Sequence, residues 1–174
     1  MQLDEKKNIE KTTADGFLKL YNQKMNTSYK IVEHGDSPDF RCEDNASNKM
    51  HLEIVLTEDR PGDIQALLGR SEGRSEHQSL KAWEEVKQGK RSIFDCISCL
   101  SGNVSAMVTG QIQKKLKKNY GPNTALVIRH ASGIDWDWDM EVENIKNMLA
   151  SSHSPYDKGI WIISNNKDRI FRIL

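Results

Sequence analysis

Two carboxylates are spaced for joint chemistry. Asp39 directly follows Pro38, and Glu53 comes fourteen residues later. Each falls in a segment that reads as strand, Pro38 to Glu43 and Met50 to Leu56, with the polar cluster Asp44-Asn-Ala-Ser-Asn48 as the turn between them. If the segments pair across that turn, both side chains converge on one face at one end of a sheet. Such a pair suits a divalent cation, because magnesium favours one or two carboxylates completed by water and substrate phosphate over a closed protein cage. The competing reading is two ordinary acids, a turn Asp and a solvent-facing strand Glu. In the second segment Leu52, Ile54 and Leu56 share one face, and His51, Glu53 and Val55 the other. Glu53 therefore points away from the most apolar face. His51 beside it can touch a substrate or serve as a polar strand residue.

Other reactive side chains form weaker patterns. Cys96-x-x-Cys99 resembles half of a zinc site, but only Cys42 and scattered histidines remain to complete four ligands, so core thiols are the expectation. His34, His77, His130 and His153 have no partner at a useful spacing. There is no Ser/His/Asp order, no dinucleotide glycine pattern and no Walker loop, since Gly69-Arg-Ser-Glu-Gly73 is not followed by Lys-Ser/Thr. Trp136 and Trp138, set among acids, can form a binding lip but suit a staple holding a helix start to the core.

The elements that must position these groups follow from periodicity. From Asp4 to Met25, Ile9, Thr13, Phe17, Leu20 and Tyr21 recur at helical spacing. Tyr29-Lys-Ile-Val32 is a short β-branched run ended by Gly35. Arg60 to Asn103 is less regular: three short helices, stopped by Gly69, Gly89 and Gly102, make a helical insertion. Val104, Val108, Ile112, Leu116 and Tyr120 then repeat every four residues beside Gln111, Lys114, Lys115, Lys117 and Lys118, ending at Gly121-Pro-Asn123. Ala125-Leu-Val-Ile128 reads as a strand buried on both faces. Asp135-Trp-Asp-Trp-Asp139 caps a helix to Leu149, its first turn acidic at Glu141 and Glu143 as the dipole prefers. Gly159 to Ile163 and Arg169 to Leu174 are two last strands. A meander followed by helix-joined strands predicts an α/β fold with a mixed central sheet flanked by helices.

Composition narrows the classes further. The chain has 174 residues, 25 basic against 25 acidic, and Leu, Ile, Val and Phe supply 39 of them, enough for a modest core. No apolar run approaches the roughly 18 to 20 residues that span a bilayer, so no membrane partner is expected. The charged start lacks an apolar export segment, and three cysteines suit reduced thiols, which together predict a cytoplasmic protein. Zero net charge means that any nucleic-acid contact must rest on local charge.

Pro38-Asp39-Phe40, Glu53-Ile54-Val55, the α-β-β-β-α-β order and the Lys-rich helix leading into Ala125 to Ile128 together resemble the PD-(D/E)XK nuclease superfamily, the restriction-endonuclease-like fold. Residues 5–57 and 104–129 carry the resemblance, which also covers an acid on the first helix, Glu10, seven residues before Phe17. It implies one nuclease-like domain over residues 1–174 with the helical insertion at about 60–103. It further implies Mg²⁺, or Mn²⁺, held by Asp39, Glu53 and the Ile54 carbonyl, with Glu10 as an outer or second-metal ligand, and hydrolysis of a DNA phosphodiester by metal-activated water.

One departure is serious: the motif's lysine position is Val55. Some relatives supply that lysine from the following helix. With Ile112 at the centre of the buried stripe, Lys115 lies about 60° to one side and Gln111 about 100° on that same side. Lys115 is thus expected as the catalytic amine, Gln111 as a supporting contact and Lys118 as a phosphate contact, with His51 on the substrate side. Val55 also supports a rival in which the domain binds or assembles without cutting, and RNA is not separated from DNA by sequence. The insertion, with seven basic and six acidic residues, is open as a lid, a substrate clamp or the contact of a homodimer.

Overall fold

The computed structural model describes residues 3–58, 88, 93–131, 136–164 and 168–174. They form helix α1 (Leu3–Met25), strands β1 (Lys30–His34), β2 (Phe40–Glu43) and β3 (Lys49–Glu58), helix α2 (Ile93–Leu116), strand β4 (Thr124–Ala131), helix α3 (Trp138–Met148), and strands β5 (Ile160–Ile163) and β6 (Ile170–Arg172). The strands build one six-stranded sheet in chain order. The β1–β2, β2–β3 and β5–β6 pairs are antiparallel, and β3–β4 and β4–β5 are parallel. This is the mixed α/β arrangement expected from the pattern of elements. No helix among the described residues is long and apolar enough to cross a membrane.

The sheet has a core on each face, as alternation along a strand requires. On one face α1 lays Ala14, Phe17, Leu18 and Tyr21 over Leu52, Ile54, Ala125, Val127 and Trp161. Phe17, Tyr21 and Trp161 pack their rings with centroids 5.3 to 5.9 Å apart. On the other face Val104, Val108 and Ile112 of α2 and Val142 and Ile145 of α3 cover Val55, Leu126, Ile128, Ile160 and Ile162. Trp136 and Trp138 are buried in this second core, which fits the staple reading rather than the lip. Cys42 is a free, buried thiol, and burial pushes its pKa up to about 12. The reading of Cys96 and Cys99 lies outside the described side chains.

Several expected boundaries shift. Residues 93–103, assigned to the insertion and ended at Gly102, are the first half of α2, which runs on without interruption to Leu116. A single glycine costs a helix only about 1 kcal/mol, too little by itself to end one. The rest of the insertion, with its lid, clamp and dimer readings, lies outside the described residues apart from Gln88. At its other end α2 stops four residues before Tyr120. The Lys118 amide donates back to the Lys115 carbonyl (2.9 Å) and the Asn119 side chain accepts from the Gly121 amide (2.9 Å), so local turns replace the next helical bonds. Lys117 and Lys118 therefore follow the helix instead of lying on it.

Two turns fix the geometry that matters below. The Asp44 carboxylate accepts from the Ala46 and Asn48 amides and the Asn48 side chain at 2.8 to 2.9 Å, with Ser47 at positive φ. That turn locks Phe40 opposite Leu52 and Cys42 opposite Met50. The second turn, before β5, depends on Gly159 at φ +89°. A Cβ there would lie 2.9 Å from the Leu174 carbonyl oxygen, itself the acceptor for the Ile160 amide. Gly159→Ala is expected to cost about 1 to 3 kcal/mol, read as a lower urea midpoint at unchanged slope.

Candidate functional site

Because the Asp44 turn sets the register, Asp39 arrives one residue before β2 beside the middle of β3, and its Oδ2 accepts the Ile54 amide proton at 2.7 Å. The backbone group of Ile54 that meets Asp39 is thus its N–H. Half-buried, the Asp39 carboxyl has its pKa pushed up to about 6. Burial is the main cause; the Ile54 hydrogen bond and the Lys115 charge oppose it, while the carboxylates of Glu53 and Glu10 add to it. Asp39 and Glu53 are therefore electrostatic neighbours in the folded protein.

Glu53 is 5% exposed, which overturns the solvent-facing reading. Its face of β3 is the one α2 covers, so both faces of the strand are buried, the less apolar one included. Lys115, the penultimate residue of α2, donates from Nζ to Glu53 Oε1 at 2.6 Å and to the Tyr120 hydroxyl at 3.1 Å. Placing an ammonium in the last turn also suits the helix dipole. The Lys115 pKa is raised: burial works against the charged form, but the hydrogen bonds that the ammonium donates to Glu53 and Tyr120 and the Glu53 charge outweigh it. Val55 lies on the same face as Glu53 but is buried in the second core. The amine at this carboxylate is supplied by the helix, not the strand.

Glu53 Oε2 is a buried oxygen with no hydrogen-bond partner. An orphaned carboxylate oxygen next to a second carboxylate matches the donor chemistry of a hard divalent cation. Among the described residues, no three His, Cys, Asp or Glu side chains gather closely enough to enclose a metal by themselves. Two carboxylates with the remaining positions left to water is the coordination magnesium accepts.

The other sequence-predicted residues are less closely gathered. Glu10 is buried on the Phe17 face of α1, pairs with Lys6 at 3.3 Å, and reaches Asp39 through its charge. His51 lies half-buried two residues before Glu53 on the same face, its Nδ1 buried without a partner, and lines a cavity of about 330 Å³ with Arg41, Glu43 and Lys49. Gln111 is half-buried one turn before Lys115, and Lys118 is exposed past the helix end.

Two tyrosines at the site carried no functional signal in the sequence. Tyr120 had only a place on the apolar stripe, and Tyr156 none. Tyr156 donates its hydroxyl proton to the Lys115 carbonyl at 2.9 Å and stacks on Tyr120 with centroids 6.0 Å apart. Burial is the main reason the Tyr120 phenol holds its proton more tightly than usual, with the Lys115 ammonium opposing it and the Glu53 carboxylate reinforcing it. A five-residue separation from Lys115 across a helix end is a spacing that only the folded turn can make meaningful. Compared with protein-family models, curated proteins and solved structures, the chain matches none.

Proposed function

We propose that this chain is a metal-dependent phosphodiesterase of the PD-(D/E)XK type acting on DNA, with Asp39 and Glu53 holding Mg²⁺ or Mn²⁺ and Lys115 replacing the lysine missing at Val55. The observation that carries the reading is that Asp39, just before β2, sits on the Ile54 amide of β3 at 2.7 Å, while Glu53 of the same strand takes the Lys115 amine of α2 at 2.6 Å. The mixed sheet with helices on both faces is compatible with a restriction-endonuclease-like fold. When bound, the cation would lower the pKa of its water and neutralise charge on the attacked phosphate. Glu10 adds negative charge beside Asp39, and the Ile54 amide keeps the Asp39 carboxylate oriented. The Lys115 ammonium, once free of Glu53, would orient the attacking water or stabilise developing negative charge. Lys114, Lys117 and Lys118, all exposed around the end of α2, offer phosphate contacts that overall charge does not.

Valine at the motif's lysine position, Val55, favours a second reading, in which the domain binds nucleic acid or assembles without cutting. Plasmid, single-stranded DNA and RNA incubated with Mg²⁺ or Mn²⁺ separate the two. Cleavage by the wild type that is lost in Asp39→Ala, Glu53→Ala and Lys115→Ala supports the enzyme. Binding without cleavage supports the rival. Full cleavage by Lys115→Ala removes that amine from the mechanism.

A further inference from the structure

The amine at the site has two partners, and they are not equivalent. Lys115 Nζ lies closer to Glu53 Oε1 (2.6 Å) than to the Tyr120 hydroxyl (3.1 Å), and its position 5.6 Å from the Tyr120 ring centroid keeps it near that ring. Its main chain is fixed, because the Lys115 carbonyl accepts from both the Tyr156 hydroxyl and the Lys118 amide. Movement of the amine is therefore confined to the side-chain stem. A divalent cation and an ammonium on one buried carboxylate repel strongly where the dielectric is low, so the carboxylate cannot favour both at once.

We propose that Lys115 is the resident counter-cation of the metal-free site, occupying the carboxylate that the divalent ion would take, and that ion binding transfers the ammonium to the Tyr120 hydroxyl, making Tyr120 a positioning residue for Lys115. The proposal rests on the metal-site reading above. It assigns the Lys115–Glu53 ion pair a second role: it holds the site closed to cations and couples their arrival to release of the amine. Tyr156 serves the same end by pinning the backbone from which the amine swings.

Mn²⁺ binding followed by electron paramagnetic resonance tests this without any substrate. Lys115→Met, with Lys115→Gln as a second variant, is expected to bind Mn²⁺ at least roughly tenfold tighter than wild type, because a competing unit charge is gone. Tyr120→Phe is expected to bind about threefold more weakly, because the displaced ammonium loses the hydrogen bond that becomes its only partner. In the Lys115→Met background the Tyr120→Phe effect should vanish, which a purely structural role for Tyr120 would not produce. Circular dichroism confirms folding of each variant. Unchanged or weaker Mn²⁺ binding by both folded Lys115 variants overturns the counter-cation role while leaving the metal site standing. No Mn²⁺ binding at millimolar concentration by wild type or variants overturns both.

Discussion

Lys115→Met is expected to lower the stability of the metal-free protein by about 3 kcal/mol, and Glu53→Gln added to it to recover most of that loss. Glu53 and Lys115 have side chains 7% and 21% exposed and lie 2.6 Å apart. For a pair this far removed from water the pair itself contributes little net stability, because desolvation offsets the attraction. Removing one partner is different. It strands a carboxylate that already has one oxygen without a hydrogen bond, and breaking buried pairs in this way costs roughly 3 to 5 kcal/mol. The partial exposure of Lys115 places the expectation at the lower end. Equilibrium urea unfolding of the wild type, both single variants and the double variant gives the coupling directly. Additive single effects would mean that the two side chains do not share their charge in the folded protein. Divalent cation should restore stability to Lys115→Met more than it adds to the wild type, since it then supplies the only positive charge at Glu53.

Asp39→Asn is expected to stabilise the metal-free protein above pH 6 and to change it little below pH 4. The sign follows from the raised pKa. The folded protein holds the Asp39 proton up to about pH 6, whereas an unfolded chain releases it near 3.8. Protonated Asp39 therefore favours the fold, and that contribution is complete below the unfolded value and lost as pH rises through the folded one. A shift of this size corresponds to about 3 kcal/mol at face value, and solvent screening of a half-buried group brings the expectation to about 1 to 2 kcal/mol. Asparagine keeps an oxygen to accept the Ile54 amide while removing the titration. Thermal melts of both proteins between pH 4 and 8 should diverge between about pH 4 and 6 and run parallel above. Curves parallel over the whole range would show that Asp39 titrates as an ordinary surface acid. With Mg²⁺ present the divergence should shrink or reverse, because the cation stabilises only the chain that carries the carboxylate.

Most of the framework was readable from local chemistry. The α1 stripe through Phe17 and Tyr21, the Asp44 turn between β2 and β3, the uninterrupted apolar run of β4 and the Asp137 cap of α3 each depend on neighbours in sequence. The cap is direct: Asp137 accepts from the Asp139 and Met140 amides. Continuity of α2 through Gly102 was not readable, because glycine reads as a stop unless the packing on both sides of it is known. Glu141 illustrates the same limit. Its place in the first turn of α3 suits the helix dipole, yet it is fully buried and accepts a hydrogen bond from Ser105 of α2, and burial raises its pKa. At the candidate site, Asp39 and Glu53 were legible from spacing, and Lys115 from the helical wheel once α2 was assumed to pack with Ile112 inward. The burial of Glu53 and the Tyr120 and Tyr156 contacts were not, since they arise from how α2 and the turn after it close over the sheet.

That the amine rides on a helix while Glu53 rides on a strand makes their alignment a matter of how two separate elements pack. Had residue 55 been lysine, amine and acid would share one rigid ribbon and move together. Here their separation depends on the seating of Val104, Val108 and Ile112 against Val55, Leu126 and Ile128. The Lys115 carbonyl, held by the Tyr156 hydroxyl and the Lys118 amide, keeps that seating in place while the side-chain stem remains free to move. A cavity-forming change such as Val108→Ala is therefore expected to weaken the Lys115–Glu53 contact as well as the core.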